Sequence, residues 1–222
     1  MSILFQNDHS GIMSSKRKTP WLEYNGNTIA DSQLGMDFLS DRLDLQLDIN
    51  LSQEHRAVAR AFRELAEENL YWTMCYESFV RNPKSLDVLL KDVFSPLKKF
   101  MFKNIIGFFV KRQLWSQGMG RHSDSEIWQI GREDLTALSQ YLGEKPYLMG
   151  AEPCQADCSV FGMLAMVVWQ MRGSRHEQFV YAELPNLVQY CERVRDRFWP
   201  DWDNRCKRLD FVDDNHKIYC QR

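Results

Sequence analysis

Asp31-Ser32, near the start of the 222-residue chain, has the residue types of a small-anion site, and Thr19-Pro20 precedes it. Between them lies Asn25-Gly26, a dipeptide that tolerates positive φ and favours a two-residue hairpin turn. Such a hairpin brings the two pairs together. Because Asp31-Ser32 can also cap a following helix, a carboxylate, a hydroxyl and unpaired backbone N–H groups would share one corner, which suits a carboxylate or another small anion. The alternative is a turn and a helix cap that bind no ligand.

The elements that must position this corner are short. We predict strands over residues 21–24 and 28–30, with Pro20 at the entry because proline cannot donate within a central strand. A short helix to about Arg42 follows. Residues 43–51 have no strong period, so we place a domain boundary there. The predicted domains are 1–45, 46–202 and a flexible polar tail over 203–222.

The rest of the chain predicts a bundle of helices. Apolar residues recur every three or four positions after Ser52, and Asn82-Pro83 ends that segment. Ser123 and Glu126 have the spacing of a capping box. Further helices are predicted over 96–117, 123–142, 155–171 and 185–197. The stretch 160–169 is apolar on every face, which favours the interior of a bundle. The expected fold class is mainly α with a small α/β part.

Composition and charge exclude several classes of protein. A net charge of −2 provides no basic face for nucleic acid, and no apolar run reaches the length of about 18 residues that a membrane span needs. The first 18 residues contain no apolar region typical of a secretory signal, so we expect a cytoplasmic protein. The six cysteines include no Cys-x-x-Cys pair, which predicts free thiols.

A metal site has weak support in the sequence. Cys154 and Cys158 are four residues apart at the start of a predicted helix, and they could share a metal with His122 or His176. This spacing is not specific for metal binding. Buried small residues are the favoured interpretation, and we predict no metal.

The segment 98–112 combines a dense apolar face with basic residues. Five of its residues are basic: Lys98, Lys99, Lys103, Lys111 and Arg112. One interpretation is peripheral membrane contact through Lys98, Lys99 and Lys103. The commoner outcome for such a pattern is a bundle helix whose lysines are solvated. An unknown protein partner and a homodimer remain open for this chain.

The order of Thr19-Pro20, a strand, an Asn-Gly turn, a strand and Asp31-Ser32 resembles the second half of the thioredoxin-like domain of glutathione transferases. The segments 20–26, 51–58 and 190–195 are similar to those of the failed axon connections family, whose relatives include the metaxins. The resemblance covers about residues 4–202. It implies a truncated thioredoxin-like domain followed by an all-α bundle of the glutathione transferase C-terminal type.

The same resemblance implies roles for particular residues. The implied glutathione-binding residues are Thr19, Pro20, Asp31 and Ser32. Asp157 would be a structural cap at the start of the buried central helix, where Cys154 replaces the usual hydroxyl residue. In active transferases the residue that activates the glutathione thiol lies on a strand–helix turn upstream of the proline. We expect that this element is missing here, and we assign no catalytic residue.

These observations favour a non-catalytic, glutathione transferase-like interaction protein of the failed axon connections family that acts in axon development and requires no cofactor. One alternative is a glutathione-dependent transferase that binds glutathione through Thr19-Pro20 and Asp31-Ser32. A further alternative is a metaxin-like adaptor at an organelle membrane.

Overall fold

The computed structural model describes Ser14, Lys16 and residues 20–45, 48–83 and 96–204, without the side chains of 96–99 and 102. The chain divides into two compact units, Met1–Ile49 and Asn50–Arg222. Thr19 and residues 205–222 of the predicted tail lie outside the described residues. The predicted fold class is confirmed, since a small α/β part precedes a helical bundle.

The first unit is a hairpin followed by one helix. Its elements are β1 (Trp21–Tyr24), β2 (Asn27–Ala30) and α1 (Ser32–Arg42). The strands pair antiparallel, and Asn25 and Gly26 form the turn with φ of 48° and 79°. A Cβ at Gly35 would lie 2.7 Å from Cδ2 of Leu22, so a residue without a side chain lets α1 pack this close to β1.

The second unit is helical in the described residues. Its helices are α2 (Gln53–Glu64), α3 (Tyr71–Tyr76), α4 (Pro96–Gln117), α5 (Asp124–Leu142), α6 (Gln155–Ala165), α7 (Arg175–Glu183) and α8 (Pro185–Phe198). The π-helical segments Leu65–Leu70, Glu77–Arg81 and Met166–Gln170 extend α2, α3 and α6, and Met119–Arg121 forms a 3₁₀ turn. The capping box at Ser123 and Glu126 is present, as predicted. Helix α7 was not predicted.

The main core lies around α6. Its fully buried side chains include Leu70, Leu135, Leu164 and Leu187. The prediction that the stretch 160–169 lies in the interior of the bundle is confirmed by Val160, Leu164 and Val167, which are buried in this core. Within the stretch, Gly162 is exposed and Met166 is 38% exposed. Helix α2, the Leu65–Leu70 segment and α8 pack on α6 without surrounding it. Among the described residues, no helix has the length and apolar character of a membrane span.

Candidate functional site

The β1–β2 register places Pro20 and Asp31 at the same end of the hairpin. The N–H of Asp31 donates to the carbonyl oxygen of Pro20 at 3.4 Å. Asp31 is also the N-cap of α1, and its Oδ1 accepts from the N–H groups of Gln33 at 3.0 Å and Leu34 at 3.2 Å. The Asp31 side chain therefore accepts from two of the backbone N–H groups that we expected to be available to a bound anion.

The backbone at Asp31 adopts a conformation that residues other than glycine rarely adopt, with φ of 99° and ψ of 132°. Such strain costs on the order of 1–3 kcal/mol and clusters at ligand sites. The side chains of Asp31 and Ser32 are exposed. The carboxylate of Asp31 can therefore pair with the ammonium group of a ligand, and the hydroxyl of Ser32 can donate to a ligand carboxylate. The structure brings Pro20, Asp31 and Ser32 together, whereas Thr19 lies outside the described residues.

A buried carboxylate at the start of α6 accepts three hydrogen bonds. Asp157 is 3% exposed, and its Oδ1 accepts from the N–H of Leu148 at 3.0 Å and the hydroxyl of Tyr190 at 2.9 Å. Its Oδ2 accepts from the N–H of Cys154 at 2.8 Å. Burial, reinforced by this carboxylate, raises the pKa of Tyr190, which keeps the phenol protonated and donating. Asp157 thus ties the start of α6 to the preceding turn and to α8.

An ion-pair network connects the end of the α3 region to the starts of α5 and α7. The Glu77 side chain is 1% exposed, and its Oε2 accepts from Nη2 of Arg175 at 2.9 Å. Arg175 also contacts Asp124 at 2.9 Å, and Arg81 donates to Oε1 of Glu77 at 3.0 Å. Glu77 and Arg175 are 98 residues apart and no local pattern relates them, so the sequence did not predict this network. Each charge in the network faces an opposite charge, which offsets part of the cost of burying Glu77.

The residues considered for a metal site have other environments. Burial lowers the pKa of His176 to about 4, and its Nε2 lies 3.1 Å from Oγ1 of Thr73. Cys154 is buried, which raises its pKa to about 12, whereas Cys158 is exposed. In the part of the chain that the structure describes, no three His, Cys, Asp or Glu side chains are grouped to hold a metal ion.

Helix α4 exposes a row of large apolar side chains, which we call the outer face of α4. Each member is more than half exposed: Phe100, Met101, Ile105, Phe108, Phe109 and Trp115. At about 100° per residue, these positions occupy one half of the helix circumference. On the other side, Val110 and Leu114 pack with Cys75 and Ile127 in a second core cluster. The outer face is therefore apolar surface in addition to the surface that attaches α4 to the bundle.

The charges of α4 are of one sign, since the helix contains five basic residues and no acidic residue. Lys111 and Arg112 are exposed and lie on the same half of the helix as the outer face. Lys103 is half-buried and lies on the opposite half, with Val110. The side chains of Lys98 and Lys99 lie outside the described part of the structure. Lys111 and Arg112 are therefore exposed cations on this half of α4, and neither belongs to the predicted membrane-contacting set of Lys98, Lys99 and Lys103.

Two family models match the chain. The glutathione S-transferase N-terminal domain matches residues 1–84, and the glutathione S-transferase C-terminal domain matches residues 131–194. The first match includes the Asp31-Ser32 corner, and the second includes Asp157 and Tyr190.

Several known proteins are similar to this chain. Failed axon connections from Drosophila melanogaster is 30% identical over 217 residues, which cover 91% of this chain and 52% of that protein. Isoprene-epoxide--glutathione S-transferase from Rhodococcus sp. (strain AD45) is 27% identical over 82% of this chain and 78% of its own length. Metaxin-2 from Mus musculus is 22% identical over 86% of this chain and 73% of its own length. The chain spans about half the length of Failed axon connections.

Proposed function

Since this chain is a glutathione S-transferase-like protein related to Failed axon connections and to the metaxins, we propose that it acts as a non-catalytic interaction protein. The observation that carries this proposal is the outer face of α4, with six large apolar side chains that are each more than half exposed. Contiguous apolar patches on a protein surface mark binding sites. In this proposal the protein is cytoplasmic, and it works in axon development as the name of its Drosophila relative suggests.

The described corner supports binding better than catalysis. A transferase must lower the pKa of the glutathione thiol, because the thiolate is the nucleophile. At the corner, Asp31 and Ser32 provide a carboxylate and a hydroxyl, which suit the charged γ-glutamyl end of glutathione rather than its thiol. The proposal therefore assigns no chemical step to these residues.

Photo-crosslinking in cells tests the interaction. A photoreactive phenylalanine analogue replaces Phe108 on the outer face, and a matched control replaces Gln129, which is exposed on α5. We expect position 108 to give a crosslinked product that position 129 does not give. Equal yields at the two positions, or none at position 108, would contradict the proposal.

Glutathione binding is the second candidate, favoured by the strained backbone of Asp31 and by the transferase name of the Rhodococcus relative. If it holds, millimolar glutathione raises the melting temperature, because a ligand that binds only the folded state stabilises it by mass action. Asp31→Ala should abolish that shift. Asp31→Asn is the matched control for capping, since asparagine is also a good N-cap but has no charge.

A conjugation assay separates the two candidates. Purified protein is mixed with glutathione and a general electrophile, and the rate is compared with that of the uncatalysed reaction. Conjugation above the uncatalysed rate would overturn the non-catalytic proposal. Absence of both a melting shift and conjugation would remove glutathione binding from consideration.

A further inference from the structure

We propose that the outer face of α4 binds an anionic membrane surface, with the helix axis parallel to the membrane plane. The inference rests on the proposed function, because it identifies the partner of the same surface. It also differs from the membrane contact predicted from the sequence, since the exposed cations that the structure places beside the apolar row are Lys111 and Arg112.

The apolar side chains have the composition of an interfacial helix. Four of the six are aromatic, and they include Trp115, which is 61% exposed. Aromatic rings prefer the boundary between lipid headgroups and acyl chains, and helices that lie in this boundary combine such rings with basic residues. All six side chains lie on one half of the helix, so they can enter the boundary at the same time.

The length of the outer face along α4 suits contact with a flat surface. From Phe100 to Trp115 the row covers about 22 Å along the helix axis, at about 1.5 Å per residue. Protein–protein contacts concentrate their binding energy in a small central cluster of residues. Exposed apolar side chains spread along the helix and over half of its circumference resemble an area of contact with a flat surface more than such a cluster.

The charged residues near the outer face of α4 indicate that the membrane surface it binds is anionic. Lys111 and Arg112 stand beside the apolar row, and Arg121 follows the helix, with its guanidinium 5.9 Å from the centre of the Trp115 ring. No acidic residue occurs within α4 to weaken their attraction to anionic lipid. Basic residues near an anionic leaflet each favour binding, and their long side chains can reach headgroups while the rings enter more deeply.

The same charges argue against a second copy of the chain as the occupant. A symmetric dimer places the same patch on both sides of the interface. Two outer faces would therefore bring Lys111 and Arg112 of one α4 close to the same two residues of the other, with no acidic residue in either helix to pair with them. Like charges repel across such an interface.

Membrane contact requires no rearrangement of the bundle. Val110 and Leu114 pack on the second core cluster from the inner side of α4, and Leu114 is only 1% exposed. Lys103 lies on that inner side as well. The outer face can therefore meet a membrane while α4 stays attached to its neighbours.

Flotation with lipid vesicles tests the proposal. The full chain is mixed with phosphatidylcholine vesicles with or without phosphatidylserine, and the bound fraction is measured at low and physiological salt. We expect binding to the vesicles that contain phosphatidylserine and weaker binding at higher salt. Phe108→Ser/Phe109→Ser should weaken binding by more than roughly ten-fold, because two rings lose their burial in lipid.

Matched charge variants test whether binding depends on the charges of the outer face of α4 or only on the net charge of the protein. Lys111→Gln/Arg112→Gln should weaken binding by about thirty-fold, since each cation near an anionic surface contributes roughly a five-fold factor. Arg56→Gln/Arg60→Gln makes the same change in net charge on exposed positions of α2 and should change binding by less than roughly two-fold. Thermal melts of all variants confirm that they are folded.

Three results would overturn the proposal: no flotation of the wild-type chain, equal losses in the two charge variants, or a dimer in sedimentation velocity that Phe108→Ser/Phe109→Ser dissociates. If flotation fails but position 108 still crosslinks to a protein in cells, the membrane is the wrong partner and the proposed function stands. If position 108 also gives no crosslink, both proposals fail.

Discussion

Replacing Asp157 by alanine should destabilise the second unit more than any surface substitution. The change removes the carboxylate that accepts from three donors, the N–H groups of Leu148 and Cys154 and the hydroxyl of Tyr190. Leu148 and Tyr190 are 1% and 0% exposed, so water cannot replace the lost carboxylate there. Each orphaned buried donor costs about 1–3 kcal/mol. We therefore expect a loss of roughly 4 kcal/mol, a large part of the 5–15 kcal/mol typical of a folded protein.

Equilibrium unfolding in urea, followed by circular dichroism, measures this loss. Tyr190→Phe supplies a double-mutant cycle, because it removes only the hydroxyl. Alone it should cost about 1 kcal/mol. In the Asp157→Ala background it should cost less, since the hydroxyl then keeps only the backbone carbonyl oxygen of residue 157, at 3.3 Å, as its acceptor.

The matched control is Asp196→Ala, where the aspartate side chain is 66% exposed and pairs with Arg195 on the surface. It should change the free energy of unfolding by less than about 0.5 kcal/mol. A cost below about 1 kcal/mol for Asp157→Ala would refute the assigned role. So would a cost for Tyr190→Phe that is the same in both backgrounds.

Three more predictions concern α5 and its neighbours. Gly131→Ala should cost roughly 1–3 kcal/mol in urea unfolding, because the added Cβ would lie 2.9 Å from Nε2 of His176; a more stable variant would contradict this close contact. Burial raises the pKa of Asp134 to about 6, so the folded state holds a proton that the unfolded state releases near pH 4, and the wild type should lose stability from pH 4 to 6 relative to Asp134→Asn. Parallel melting profiles of these two proteins would contradict the pKa shift. Arg175→Met should cost roughly 3 kcal/mol by removing the main partner of buried Glu77, and adding Glu77→Gln should recover part of it; no recovery would argue against an uncompensated charge.

Local signals in the sequence predicted the elements that depend on a few neighbouring residues. The Asn25-Gly26 turn and the Ser123–Glu126 capping box both form as expected. They could be predicted because positive φ and a reciprocal cap are properties of two to four consecutive residues. Helix α7 carried a similar signal that was missed, since Ser174 caps it by accepting from the N–H of Glu177.

Other features could not be predicted because they depend on packing between distant segments. Glu77 and Arg175 meet only after α3 and α7 have packed together. The apolar pattern of residues 160–169 predicted the interior of the bundle, but it could not show which position would face outward, and Met166 is 38% exposed. The sequence of α4 contains apolar residues all around the helix, so its period alone could not distinguish the side that packs from the side that is exposed.

The corner at Asp31-Ser32 was also predicted only in part from the sequence. The sequence predicted a helix cap at Asp31-Ser32, and the structure shows Asp31 in that position. The φ of 99° at Asp31 and the use of its Oδ1 by Gln33 and Leu34 depend on the exact join between β2 and α1. The assignment of Asp31 and Ser32 to glutathione remains a prediction.

Carbene footprinting measures whether the outer face of α4 is a binding surface in cells. The labelling of Phe100, Phe108 and Trp115 is compared between the purified chain and the same chain in intact cells, with exposed His55 of α2 as the internal reference. We expect strong labelling of the three aromatic residues in the purified chain and several-fold protection in cells, with His55 unchanged. Equal labelling of these residues in both preparations would contradict a binding role for the outer face of α4.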